Sequence, residues 1–137
     1  MPSPRIELPS RLADQMRAQA FGAFPGECCG LLEGGRKGEN FYVVALHPAS
    51  NLSSYNDRFE IDPRDHFAAQ KGARLHGRAI IGCYHSHPNG RAQLSTADQA
   101  GAGEEGFVWL IVGADELGAF VYRDGKFLDA DWVTSSH

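Results

Sequence analysis

The chain has 137 residues, 42% hydrophobic and 22% charged, a balance that excludes disorder, collagen and coiled coil. Its size predicts one domain over residues 1–137, able to bury a core without disulfide staples. With 13 Lys and Arg against 17 Asp and Glu, the formal net charge is −4; no basic run forms a stripe, which excludes nucleic acid and anionic membrane surfaces as partners.

Pro9 and Ser10 precede LADQMRAQAFGAF, where Leu12, Met16, Ala20 and Phe24 fall near helical spacing and predict a helix ended by Pro25-Gly26. Cys28–Glu33 is a short apolar run and predicts a buried strand stopped by Gly34-Gly35. After the polar turn GGRKGEN, Phe41–Leu46 reads as its hairpin partner. A polar loop, ASNLSSYNDR, leads to a short predicted strand, RFEI. Asp62-Pro63 opens a predicted helix, DPRDHFAAQKGARLHG, with proline in the favoured first turn.

Ala79–Tyr84 predicts a buried strand that runs straight into HSHPNGRAQLSTAD, where Asn89-Gly90 is a turn signal. Ser95 opens a short helix, STADQAGAGEEG, weakened by its glycines. Three strands follow at Phe107–Val112, Gly118–Tyr122 and Phe127–Val133, the last two joined by an Asp124-Gly125 turn. The 16 glycines also favour a mixed fold over a helical bundle. The predicted class is α/β, a single mixed central sheet flanked by helices.

The first 20 residues carry no apolar signal core, and no run approaches the ~18 apolar residues of a membrane span. Cys28, Cys29 and Cys83 are odd in number and two are adjacent, which is not a secreted disulfide framework. The expectation is a cytoplasmic protein with three reduced thiols.

The chemistry concentrates in His85, His87, Ser95 and Asp98. In an extended segment i and i+2 share a side, so the two imidazoles can converge on one ion. The turn after Pro88 returns the chain and delivers Ser95 and Asp98 beside the strand end. Two imidazoles and one carboxylate suit Zn²⁺, with a fourth position left for water. Each piece also has a plain structural reading. H-x-H can be two polar residues at a strand end, S-x-x-D is a helix capping box, and Glu27 can be a solvated strand end.

Taken together, Glu27 with Gly30 in ECCGLL, His85-Ser86-His87-Pro88, six residues, Ser95, two residues and Asp98 resemble the JAMM motif of MPN-type metalloproteases, in the stand-alone bacterial form. Every defining position is matched. The resemblance implies the MPN/JAMM (cytidine-deaminase-like) fold over nearly the whole chain. It implies Zn²⁺, one per chain, held by His85, His87 and Asp98. Glu27 would be the catalytic base and acid, and Ser95 the donor to the oxyanion. It implies cleavage of an amide or isopeptide bond at the C-terminal Gly-Gly tail of a ubiquitin-like or sulfur-carrier protein; the alternative is a non-catalytic MPN-type assembly module. Strand addition beside the zinc is the expected way to hold such a tail. With no long insertion after Asp98, a small adduct on the carrier is the expected substrate, ahead of a linked ubiquitin chain.

Other metal and redox signatures are absent. There is no H-x-E with P-C-x-x-C, no H-E-x-x-H and no C-x-x-C. Cys83 falls on the histidine side of its strand by period-2 counting, near enough to a metal for oxidation to matter. His47, His66 and His76 have no partners at ligand spacing and read as surface or core histidines.

Overall fold

Eight strands and three helices are built from the described residues, which are 3–54, 58–88, 90–101 and 104–135 of a computed structural model. In chain order they are β1 (Arg5–Pro9), α1 (Ser10–Ala23), β2 (Cys29–Lys37), β3 (Asn40–Ala49), α2 (Pro63–Leu75) and β4 (Ala79–Ser86). Then come α3 (Thr96–Gly101), β5 (Val108–Val112), β6 (Leu117–Arg123), β7 (Lys126–Asp129) and β8 (Asp131–Ser135). One mixed sheet runs β7-β6-β5-β4-β2-β3-β1-β8, parallel at β4–β5, β3–β1 and β1–β8. This is the predicted class, a mixed sheet flanked by helices.

The two sheet faces are covered differently. Leu12, Ala13 and Met16 of α1 pack with Ile6, Leu8, Leu32, Tyr84, Val108 and Leu110 on one face. Ala69 of α2 packs with Leu31, Cys83, Phe107 and Trp109 on the other. A strand covered on both faces is apolar throughout, and β5, VWLIV, is buried at every position. On α2, Asp62 caps the first turn by accepting from the Arg64 N–H at 2.9 Å, and Pro63 takes the first helical position as expected.

Several local expectations are corrected. β1 was not foreseen: RIELP alternates, with Ile6 and Leu8 fully buried, but prolines bracket it and its partners lie far along the chain. β2 does not stop at Gly34-Gly35 but continues to Lys37 through a bulge at Glu33/Gly34. A Cβ on Gly34 would stand 1.8 Å from the Tyr42 carbonyl oxygen, so the glycine permits close backbone approach and does not end the strand.

RFEI forms no strand. A single bridge joins Asn51 and Ile61, and the Asn51 side chain takes backbone groups of Arg58 and Glu60 that a partner strand would have used. Phe127–Val133 is two strands: β7 pairs with β6, and β8 pairs with β1 at the opposite edge. Only Ala130 lies between them, so the sheet curls until its two edges meet there. Phe24 is 57% exposed, because α1 ends at Ala23 and the chain leaves the helix axis at Pro25. Asn89 of the predicted turn, residues 55–57 of the polar loop and residues 102–103 of the predicted third helix lie outside the described residues.

One buried carboxylate sits away from the strand ends. Glu33 accepts from Arg78 Nε at 2.6 Å and contacts His47 Nε2 at 2.7 Å, with His76 Nδ1 at 3.9 Å. Burial alone would raise the Glu33 pKa, but the hydrogen bonds from His47 and Arg78 outweigh it and lower the carboxyl below its ordinary value. A depressed folded pKa means stability that is present above the ordinary glutamate value and lost as pH falls through the lowered one. We therefore expect Arg78→Met to cost about 1.5–3 kcal/mol at neutral pH. Thermal melts of both proteins should show that gap closing in acid. A gap independent of pH would contradict the account.

Candidate functional site

β4 ends beside the start of β2, and the predicted residues gather at that end. His85 is fully buried. Its ring stacks on Phe59 at 4.2 Å between centroids and meets Trp109 edge-on at 5.7 Å. His87 lies just past the strand, and its backbone N–H donates to the Val112 carbonyl at 2.8 Å. Gly90 N–H donates to the His87 carbonyl at 3.1 Å, turning the chain back, and Ala92 N–H on Glu116 Oε1 at 3.2 Å pins the loop.

The return brings Ser95 and Asp98 to the head of α3 as a reciprocal capping box. Ser95 Oγ accepts from the Asp98 N–H at 3.0 Å, and Asp98 Oδ2 accepts from the Ser95 N–H at 2.9 Å. Capping leaves the Ser95 hydroxyl proton available to a further acceptor. The structural and functional readings of S-x-x-D are therefore compatible.

The Asp98 carboxylate also faces both imidazoles. Oδ1 lies 3.0 Å from His85 Nε2, Oδ2 lies 3.1 Å from His87 Nε2, and the two Nε2 atoms are 3.2 Å apart. With bonds of about 2.0–2.1 Å, the edges of a tetrahedral zinc site are about 3.3 Å, so the two Nε2 atoms are spaced as two of its corners, and one Asp98 oxygen lies against each of them. His87 Nδ1 donates to the Arg91 carbonyl at 3.1 Å, the tautomer that leaves Nε2 available to a cation. His85 Nδ1 is buried with no hydrogen-bond partner among the described residues, so aromatic packing sets that ring.

Burial works against the Asp98 carboxylate, but hydrogen bonds from His85 and His87 outweigh it and hold the carboxyl well below its usual range. Burial pushes His85 down, the Asp98 contact opposing it. Burial also acts to lower His87, but Asp98 and the Arg91 carbonyl leave its pKa raised.

Glu27, two residues before β2, is 5% exposed. One of its carboxylate oxygens falls within a group, with one nitrogen from each histidine, whose members lie within 4.8 Å of one another. The histidines are therefore shared between two carboxylates, Asp98 in direct contact and Glu27 alongside.

Three positioning contacts were missed from sequence. Cys28 N–H donates to Ser86 Oγ at 2.9 Å, while Ser86 N–H donates to the Cys28 carbonyl at 3.1 Å, riveting β2 to β4 beside the site. Ser86 was visible as the middle of H-S-H-P, although its spacing did not reveal this task. Asn51, in a segment read as a polar loop, and Phe59, in the predicted strand RFEI, carried no local signal of these tasks. Gly30 in ECCGLL has a packing reason: a Cβ there would stand 2.4 Å from the Tyr84 ring, whose hydroxyl donates to Gln19 of α1 at 2.5 Å.

The three cysteines stand as free thiols. Cys83 shares the face of His85 and lines a cleft of ≈ 620 Å³ with Asp98, Phe59, Phe107 and Trp109. Burial pushes its thiol pKa far up, which keeps it protonated and poorly reactive. A second cleft of ≈ 650 Å³ reaches His87, between Phe21 of α1, Phe24 just past its end and the Gly113–Glu116 turn. Either cleft admits a few residues of extended chain.

The expected strand addition needs correction. β4 is interior, paired with β2 and β5, and the free edges are β7 and β8, so a tail cannot join the sheet at β4. Among the described residues no helix is long and apolar enough to cross a membrane.

A family model described as prokaryotic homologs of the JAB domain matches residues 9–124. A desampylase of Haloferax volcanii is 32% identical over 120 residues, covering 84% of this chain and 85% of its own. A probable TtuB-protein conjugate cleaving protease of Thermus thermophilus is 31% identical over 122 residues, covering 88% and 78%. The crystal structure of AF2198, a JAB1/MPN domain protein from Archaeoglobus fulgidus, superposes with a TM-score of 0.56 at 19% identity, over 97% of this chain and 99% of that one.

Proposed function

Because this chain belongs to the family of prokaryotic JAB-domain homologues, we propose that it hydrolyses conjugates of a ubiquitin-like protein, as a zinc-dependent isopeptidase of the JAMM type. The observation that carries the reading is the buried Asp98 carboxylate set 3.0 and 3.1 Å from the two imidazoles, with Glu27 alongside. Burying Glu27, His85 and Asp98 together beside a half-buried His87 is costly, and such clusters mark sites where chemistry needs them. That argues against the assembly-module alternative. Two relatives named as a desampylase and a probable conjugate cleaving protease support the substrate class.

His85, His87 and Asp98 would hold the zinc; Glu27 also groups with the two histidines, and Asp98 is taken as the third ligand because its oxygens lie nearer, at 3.0 and 3.1 Å from the two imidazoles. When bound, Zn²⁺ supplies a Lewis acid that makes water a stronger acid and polarises a carbonyl. Glu27 accepts the proton of the attacking water and delivers it to the leaving nitrogen, so one carboxylate serves as base and then as acid. The Ser95 hydroxyl donates to the carbonyl oxygen as negative charge develops there. Asp98, capped by the Ser95 N–H, ties that hydroxyl to the two imidazoles it contacts.

The same reading takes residues 1–137 as one domain working in the cytoplasm on a carrier ending in Gly-Gly. The zinc-loaded protein should release the extra residue from a carrier ending in Gly-Gly plus one amino acid, measured by mass spectrometry beside a linked diubiquitin. Efficient cutting of diubiquitin with no action on the carrier would sink the small-adduct reading.

A further inference from the structure

The amide of Asn51, in the segment after β3, makes four hydrogen bonds. Nδ2 donates to the Glu27 carbonyl at 3.0 Å and to the Arg58 carbonyl at 3.4 Å. Oδ1 accepts from the Ser53 N–H at 3.0 Å and the Glu60 N–H at 2.9 Å. Arg58 and Glu60 flank Phe59, whose ring lies on His85 at 4.2 Å with 20° between planes. That stacking matters more than usual here, because His85 Nδ1 has no hydrogen-bond partner among the described residues. Imidazole ligands are ordinarily oriented by a hydrogen bond at the second nitrogen. At His85 an aromatic ring takes that task, and Asn51 holds the backbone on both sides of the ring.

We infer that Asn51 is a positioning residue for the hydrolytic site: its side chain ties the backbone of Glu27 to the segment that orients His85. The base and the metal ligand come from different strands, and Ser86 already joins those strands through Cys28. Asn51 adds a second tie, on the Phe59 side of the imidazole. Only an amide of this length meets the need, because the position requires two donors toward carbonyls and an acceptor for two N–H groups. Aspartate has the same shape but turns both donated bonds into contacts between oxygens.

The inference rests on the hydrolytic reading, and its test separates the two. Asn51→Asp and Phe59→Leu would be made in the full chain and loaded with zinc. Zinc affinity would be measured without substrate, by competition with a chromophoric chelator. The conjugate assay would give kcat and KM separately, and thermal melting would report folding. We expect each variant to stay folded and to lose roughly 10–100-fold in kcat or zinc affinity, the range for residues supporting metal ligands. For Asn51→Asp the loss should fall on kcat, with KM within about threefold of wild type, since substrate binding is untouched. For Phe59→Leu it should fall on zinc affinity.

A wild type that neither holds zinc nor cuts the conjugate overturns the hydrolytic reading and this inference with it. A wild type that cuts, beside an Asn51→Asp variant with unchanged kcat and zinc affinity and only a lower melting temperature, overturns this inference alone; Asn51 would then brace a loop and nothing more. Should Asn51→Asp fail to fold, Phe59→Leu decides, and wild-type zinc affinity and kcat in that variant overturn the inference.

Discussion

Glu27→Gln is expected to lower turnover roughly 10²- to 10⁴-fold while the protein keeps its zinc, because a positioned acid–base group contributes that much and the ligands are untouched. The substitution preserves shape and hydrogen-bonding reach but removes the proton acceptor. One Glu27 carboxylate oxygen groups with one nitrogen of each histidine within 4.8 Å, while the Asp98 oxygens lie at 3.0 and 3.1 Å from them, and the proposed reading makes Glu27 the base. Ser95→Ala is the informative companion. It should also keep zinc and lose roughly 10²- to 10³-fold in kcat, the cost of one oxyanion donor. Elemental analysis and steady-state kinetics on the same preparations check both. Equal loss of zinc in the two variants would mean that Glu27 and Ser95 shape the site and take no part in the chemistry.

The second large effect is on the metal. His87→Ala and Asp98→Asn should each bring zinc well below one per chain, since a catalytic zinc site has three protein ligands and none to spare. Asp98→Asn is the sharper of the two. It keeps an oxygen for the Ser95 N–H, so the helix cap survives while the charge is lost. Comparing the two carboxylates also decides which of them completes the ligand set. Full zinc in Asp98→Asn with loss in Glu27→Gln would exchange their roles.

The cluster of His85, His87, Ser95 and Asp98 was legible because H-S-H-P-x6-S-x-x-D packs four chemical groups into one strand, turn and helix start, where local geometry brings them together. Glu27 was legible only through resemblance, since nothing local distinguishes it from a strand-end carboxylate. Asn51 and Phe59 were not legible. Their roles depend on a segment crossing the sheet end: Asn51 stands in a polar stretch that reads as a loop, and Phe59 in RFEI, which reads as a short strand. The central strands came through because Ala79–Tyr84 and Phe107–Val112 are continuous apolar runs covered on both faces.

The edges came through poorly. RIELP is short, bracketed by proline, and depends on a strand from the other end of the chain. FLDADWV reads as one strand because period alone cannot show that Ala130 carries the chain from one edge of the sheet to the other. Gly34 misled for a related reason, since a glycine that admits a neighbouring backbone has the same local appearance as one that ends a strand.

The most direct measurement is cleavage of a Gly-Gly-tailed carrier conjugate by the untreated protein, by protein stripped with a chelator, and by stripped protein given back one equivalent of Zn²⁺. The account predicts cleavage after the second glycine, its loss on stripping and its return with zinc. Undiminished cleavage by the metal-free protein, or none by protein carrying its full zinc, would contradict it.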